Sequence, residues 1–225
     1  MDFSTYKFRC HGLGNLLVDP RSKTEPLSET TKTYLKELWI QEMFGREKII
    51  STKYMAKGIS CETDSVQLVE KVLNKTYFKN QKEFTNDLLA GIPDVIDSEF
   101  VLDIKTSWDI WTFAAVDEDS ARKAYYGQLL GYMLLTGKTK AKLAYCLTNT
   151  PEDQISYEMY KLKVSGAIKD DNEEEEAKAR SNFIFDDIAQ EKRVKIYDFE
   201  IDEEIVNKLT ERIRLSREYM STLSL

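Results

Sequence analysis

Gly91-Ile92-Pro93-Asp94, followed after a short polar turn by Val101-Leu102-Asp103-Ile104-Lys105, is the stretch from which the fold is read. An acidic residue stands just past one strand-like segment, and Asp-x-Lys lies within a second. Side chains alternate along a strand, so Asp103 and Lys105 share one face, while Leu102 and Ile104 point to the core. Asp94, Asp103 and the backbone carbonyl of Ile104 are hard oxygen donors of the kind that suit Mg²⁺ or Mn²⁺. Beside Lys105, such a cation polarises a phosphodiester and activates water, so the residues point to phosphodiesterase chemistry. Asp94 and Asp97 also suit the capping of a turn, and Lys105 also suits a strand-end surface charge. The surroundings of the two motifs therefore decide between these readings.

The chain of 225 residues is 42% hydrophobic, which fits one domain with a sizeable core. No apolar run approaches the roughly 20 residues of a membrane span, and the N-terminus lacks the order of a signal peptide. The expectation is a soluble, intracellular protein with no membrane partner. Cys10, Cys61 and Cys146 are odd in number and far apart, which argues against disulfides, zinc and iron–sulfur clusters and for reduced, mostly buried thiols. A net charge of −7 is unusual for a nucleic-acid enzyme. Only residues 1–60 carry more Lys and Arg than Asp and Glu, and the acid is concentrated in the run from Asp170 to Glu176. That run reads as a solvated helix face or a loop.

Residues 29–44 place Tyr34, Leu35, Leu38, Trp39 and Met43 at helical spacing, with Ser28 as N-cap and Gly45 as stop. Ser60–Asn74 repeats the pattern, with Glu62 in its first turn. Phe84–Ile96 and Phe100–Ser107 read as strands of an antiparallel hairpin turning at Asp97-Ser98-Glu99. Ser120–Leu135 reads as a helix with Gln128 and Tyr132 one turn apart on one face. Ala141–Leu147, Tyr157–Val164 and Val194–Ile201 read as strands, and Asp202–Leu223 as a closing amphipathic helix. The sum is a single mixed α/β domain, a central mixed sheet flanked by helices. It divides into an N-terminal segment 1–57, a core 58–164, and 165–225 with the acidic segment, a strand and the last helix.

Helix-borne Glu62, strand-end Asp94, Asp103-x-Lys105 and a helix carrying Gln128 and Tyr132 follow one another in an order that resembles the PD-(D/E)xK nuclease superfamily. The details look most like its lambda exonuclease-like branch, the viral alkaline exonuclease or YqaJ-type proteins of phage recombination. Gly58-Ile59-Ser60-Cys61-Glu62 matches a Gly-x-x-x-Glu helix start. Gly91 to Asp94 matches the Pro-Asp strand, and Val101 to Lys105 the apolar Glu-x-Lys strand. Tyr125 to Met133 matches the Gln-containing helix, and Ala144 to Pro151 the strand and turn after it. The close relatives that the chain resembles usually carry Glu where it has Asp103, Asp occurs there across the wider superfamily, and the shorter arm shifts a bound metal.

The resemblance implies a restriction-endonuclease-like core, with Asp94 and Asp103 as metal ligands and Glu62 supporting a metal or orienting its water. Lys105 would stabilise the attacking water and the charge growing on phosphate, and Gln128 would brace the site. It further implies a Mg²⁺-dependent DNA exonuclease, with Mn²⁺ able to substitute, acting 5′→3′ on double-stranded DNA ends. A ring-like trimer, a single-strand annealing protein as partner, and a phage- or prophage-encoded protein in the bacterial cytoplasm complete that picture. Residues 1–57 would hold the DNA end. Arg9 is the candidate phosphate contact, since a guanidinium grips phosphate in bidentate fashion, although it also reads as an ordinary surface charge. The sole histidine, His11, is assigned no chemistry. Trp108, Trp111 and Phe113 are read as packing aromatics, with stacking on an unpaired base as the alternative. Another nuclease of the superfamily, for repair or restriction, and a non-catalytic DNA-binding protein keeping the fold are the alternative functions.

Overall fold

The computed structural model describes residues 2–49, 51–169 and 172–225. Its centre is a four-stranded mixed sheet in the order β4 (Val95–Ile96), β5 (Val101–Thr106), β6 (Lys140–Cys146), β7 (Val194–Glu200). β4 and β5 pair antiparallel, β5 and β6 parallel, and β6 and β7 antiparallel. Asp103 lies opposite Leu143, and Lys105 opposite Tyr145. A smaller sheet is formed by β1 (Phe8–Arg9), β3 (Leu89–Gly91) and β2 (Phe84–Thr85).

Helices cover both faces of the central sheet. On one side Val101, Ala141, Leu143 and Phe199 join a large core with helices α1 (Leu13–Leu17), α2 (Glu29–Phe44), α6 (Glu118–Thr136) and α9 (Glu203–Thr222). On the other, Leu102, Ala144 and Cys146 pack on Leu68 and Val69 of α4 (Glu62–Leu73). Leu102 and Ile104 thus turn to a core as expected, but the face of Asp103 and Lys105 is also covered. Gly127 of α6 lets α1 approach, since a Cβ there would meet Gly14 N at 2.7 Å.

The expected helices at 29–44, 60–74, 120–135 and 202–223 and the strands at 141–147 and 194–201 all form, within a few residues at their ends. Ser28 caps α2, its side chain accepting from Thr31 N, and Gly45 ends it at φ 59°. The single strand expected over Phe84–Ile96 is instead three short ones. Asn86 Oδ1 accepts from Leu88 N and Leu89 N and turns the chain, and Pro93 offers no N–H to a ladder. Gly91 sits against Cys10 Sγ, where a Cβ would come within 2.7 Å.

The strand expected over Tyr157–Val164 is instead part of helix α7 (Glu152–Val164). Ile155 and Met159, four apart, are its buried positions and pack with Ile168 and Phe183. Helix α3 (Lys53–Ser60) has no counterpart in the sequence reading, and it shows that Gly58 lies near the end of one helix, whereas Glu62 begins the next. The boundary drawn after residue 57 falls inside α3. α5 (Ile110–Ala115) follows the Asp-x-Lys strand, and α8 (Glu173–Ser181) takes up the acidic run from Glu173 onward. Asp170 and Asp171 of that run lie outside the described residues. The three thiols are free and buried, and no helix among the described residues is long and apolar enough to cross a membrane.

Candidate active site

The β4–β5 hairpin brings the two aspartates together. Asp94 immediately precedes β4, and its Oδ2 accepts a 2.7 Å hydrogen bond from the Ile104 amide in β5. Ile104 therefore contributes through its N–H, which fixes the Asp94 carboxyl. Asn80 ties the same turn from outside, donating through N to Asp94 O at 2.7 Å and through Nδ2 to Pro93 O at 3.0 Å. Burial, then the neighbouring Asp103 carboxylate, push the Asp94 carboxyl from 3.8 up to about 7.

Asp103 is 1% exposed. Its Oδ1 accepts from Gln128 Nε2 at 3.1 Å, and the same Nε2 lies 2.9 Å from Tyr132 Oη. The one-turn spacing of Gln128 and Tyr132 thus becomes a brace from α6 onto the carboxylate. Asp103 Oδ2 is 2.9 Å from Lys105 Nζ, an ion pair whose direction leaves that buried oxygen without a hydrogen bond. Burial pulls the Lys105 ammonium down, but the charges of Asp103 and Asp94 outweigh it and hold its pKa above the usual value. The Tyr125 ring lies 5.6 Å from Nζ.

A buried carboxylate oxygen that accepts no hydrogen bond, beside a second carboxylate that it repels, is a donor set suited to a cation. Asp94 and Asp103 therefore fit a divalent ion. Glu62 stands nearby at the start of α4, where its charge reaches Asp94, but its side chain is 44% exposed and paired with Lys79 at 2.6 Å. Among the described residues no three His, Cys, Asp or Glu side chains converge as a cation site. The direct set supported by the geometry is the two aspartates, with Glu62 at its margin.

These residues open on a cleft of about 610 Å³, whose lining includes Lys105, Ile104, Glu62, Tyr54, Ile59 and Trp108. Asp103 lies one ion-pair step behind Lys105. Ser65 and Thr106, whose hydroxyls are 2.8 Å apart, also line it, and nothing in the sequence pattern singled them out. α3 supplies the cleft's apolar wall with Tyr54, Met55 and Ile59, all half-exposed or more. Beneath α3, Lys57 is fully buried and donates to Trp108 O at 2.8 Å, and burial lowers its pKa to about 8.

Arg9 stands in the smaller sheet, half-exposed and ion-paired with Glu83. It lines a broad depression of 920 Å³ with His11, Tyr34, Arg46 and Lys48. Of the aromatics after β5, Trp108 and Phe113 are buried as packing residues, whereas Trp111 is 74% exposed and departs from that reading.

No protein-family model matches the chain, and no curated protein matches it. Among solved structures, a phage-related exonuclease from Haemophilus somnus 129PT superposes with a TM-score of 0.79 at 25% identity, over 96% of this chain and 94% of that one. An alkaline exonuclease, LHK-Exo, from Laribacter hongkongensis superposes with a TM-score of 0.63 at 12% identity, over 97% and 89% of the two chains. The same enzyme in complex with dAMP gives 0.62, at 12% identity over 96% and 88%. The chain has the mixed α/β fold of these exonucleases, consistent with a lambda exonuclease-like PD-(D/E)xK nuclease.

Proposed function

We propose that the protein is a divalent-metal-dependent deoxyribonuclease that removes nucleotides from the ends of duplex DNA, running 5′→3′. The observation that carries this reading is the buried Asp103 carboxylate, held by Gln128 at Oδ1 and ion-paired with Lys105 at Oδ2, with Asp94 fixed beside it by Ile104 N–H. The likeness to the phage-related exonuclease supports it.

In this reading Asp94 and Asp103 hold Mg²⁺, or Mn²⁺ in its place, with Glu62 and the Ile104 carbonyl as further oxygen donors. The chemistry the cation supplies when bound is Lewis-acid polarisation of the phosphate and a lowered pKa for water. The chain's own groups do the positioning. Gln128 prevents the Asp103 carboxylate from rotating, and the Ile104 amide does the same for Asp94. Lys105, at the cleft surface, orients the attacking water and balances the negative charge that grows on the phosphate oxygens. Water adds to phosphorus, the bond to the leaving oxygen breaks, and a nucleotide is released. Arg9 then serves as a phosphate contact for the DNA end once it exchanges Glu83 for a phosphate. A ring of three copies, a single-strand annealing protein as partner, and a role in phage recombination or repair in the bacterial cytoplasm complete the proposal.

The test is incubation of the purified protein and Mg²⁺ with linear and covalently closed duplexes carrying defined 5′ ends. Progressive loss of the linear form alone is expected. Nicking of closed circles would replace the exonuclease with an endonuclease, and binding without any loss would replace it with a non-catalytic protein.

A further inference from the structure

Trp111 is a solvent-exposed indole next in sequence to Thr112, a residue that lines the cleft. It lies on α5, whose first turn is fixed by Asp109 Oδ1 accepting from Thr112 N at 2.7 Å and from Thr112 Oγ1 at 2.6 Å. Behind that turn, Ser107 Oγ donates to Asp109 O at 2.9 Å, and buried Lys57 donates to Trp108 O at 2.8 Å. The far end is held by Phe113, whose ring stacks on Tyr145 at 6.1 Å and 7°. Lys195 Nζ closes it, donating to Phe113 O at 2.7 Å and Val116 O at 2.6 Å. Of the residues around it, Trp108 is 3% exposed, Ile110 is 36% exposed, and Thr112 lines the cleft that holds Lys105. Between them Trp111 remains 74% exposed, with no ring or cation partner among the described residues. The exposure is therefore set by a well-anchored mount. A large apolar ring kept in water, one residue from the cleft-lining Thr112, matches the element that single-stranded nucleic acid uses, an aromatic face on which a base stacks without regard to sequence.

We propose that Trp111 is a stacking platform for an unpaired nucleobase of the DNA strand at the mouth of the catalytic cleft. This deepens the nuclease reading and rests on it. The platform holds the strand end apart from its complement while Lys105 and the aspartates act on the phosphate. It selects for unpaired bases over paired ones, whose faces are already stacked. It is indifferent to which base is presented, since every base has a π-face.

The chain's own fluorescence tests this directly, because Trp39 and Trp108 are 7% and 3% exposed and Trp111 alone of the three tryptophans faces solvent. A short oligothymidylate is titrated into the full chain in the presence of a chelator, with binding followed by emission and by anisotropy of a labelled oligonucleotide. The expected result is quenching of the solvent-exposed emission. Trp111→Ala should then bind about tenfold more weakly, the order expected for one stacked base, and Trp111→Tyr should retain most of the affinity. Affinity for blunt duplex should change by less than about twofold. Unaltered emission, or equal affinity in Trp111→Ala, overturns the platform. So does a concentration-dependent blue shift without DNA, which would mean that a second copy of the chain covers the ring. Cleavage of linear duplex by the wild type is measured in parallel. If it persists while the platform fails, the nuclease reading stands alone; if the wild type does not cleave, both fall.

Discussion

Replacing Asp94 by Asn should make the metal-free protein more stable at pH 8 while abolishing its response to Mg²⁺. Asn retains an oxygen to accept from Ile104 N–H, so the hairpin is preserved and the negative charge alone is removed. The Asp94 carboxyl is raised from 3.8 to about 7 by burial and by Asp103. For an acid raised in this way the folded chain holds the proton longer than the unfolded one. Stability is thus full below about pH 4, falls as the pH rises toward 7, and stays reduced above it. The whole displacement corresponds to about 4 kcal/mol as a ceiling. Relaxation of the surroundings and water entering from the open cleft discount that ceiling by about half, so about 2 kcal/mol falls to the substitution. For a chain of this size that is a rise of about 4–8 °C in melting temperature. Thermal unfolding in a chelator, with wild type and Asp94→Asn compared at pH 4.5 and pH 8, reads it directly. The two should nearly coincide at the lower pH and separate at the higher. Mg²⁺ at a hundredfold excess over its Kd should stabilise wild type by about 2.7 kcal/mol and the variant hardly at all. Equal or lower stability of the variant at pH 8 would refute the strained carboxylate pair.

Asp103→Glu adds one methylene where Mg²⁺ demands near-octahedral geometry at about 2.1 Å, so turnover should fall in Mg²⁺ and recover in part in Mn²⁺, with DNA binding unchanged. Full activity in Mg²⁺ would show that the site accepts either carboxylate. Lys105→Ala should lose about 10²-fold in kcat, as expected for one charge-stabilising group. Lys138→Ala and Lys140→Ala, whose partners are Ser98 O and Glu200, should stay within about twofold of wild type, because neither touches the site. Single-turnover rates on a saturating DNA end make the comparison, and equal losses in all three would mean that only DNA affinity had been measured. Lys57→Met removes a buried ammonium whose pKa is lowered to about 8, so the cost of charging it is present below pH 8 and fades toward pH 10.5. Relative to wild type the Met variant should therefore be on the order of 2 kcal/mol more stable at pH 7 than at pH 10 in urea unfolding.

The part of the site written in period-two spacing was legible in the sequence. Asp103 and Lys105 do share a face, and their common face with Gln128 follows from two regular elements packing with fixed periodicities. Asp94 was legible as a strand-end acid, but its anchoring to Ile104 N–H depends on hairpin register. What escaped was governed by contacts remote in sequence. α3 buries a lysine where an apolar stripe would have announced a helix, and its apolar residues face outward. α7 carries Tyr157-Glu158-Met159 and Lys161-Leu162-Lys163-Val164, apolar–polar alternations that mimic a strand, and only the packing of Ile155 and Met159 on Ile168 and Phe183 decides for helix. The outward turn of Trp111 was equally hidden, since Trp108 and Phe113 beside it are buried by Lys57, Tyr145 and Lys195. The pairing of Glu62 with Lys79 joins a helix start to a loop that no local pattern connects.

The role proposed for Asp94 and Asp103 is to hold the cation through which DNA ends are cleaved. It is tested most directly by following end-labelled linear duplex with wild type and Asp103→Asn, each with Mg²⁺ and with a chelator, at equal DNA occupancy. Wild type in Mg²⁺ should release nucleotides stepwise, and the other three reactions should release none. Cleavage by wild type in the chelator, or by Asp103→Asn in Mg²⁺ at a rate near that of wild type, would contradict it.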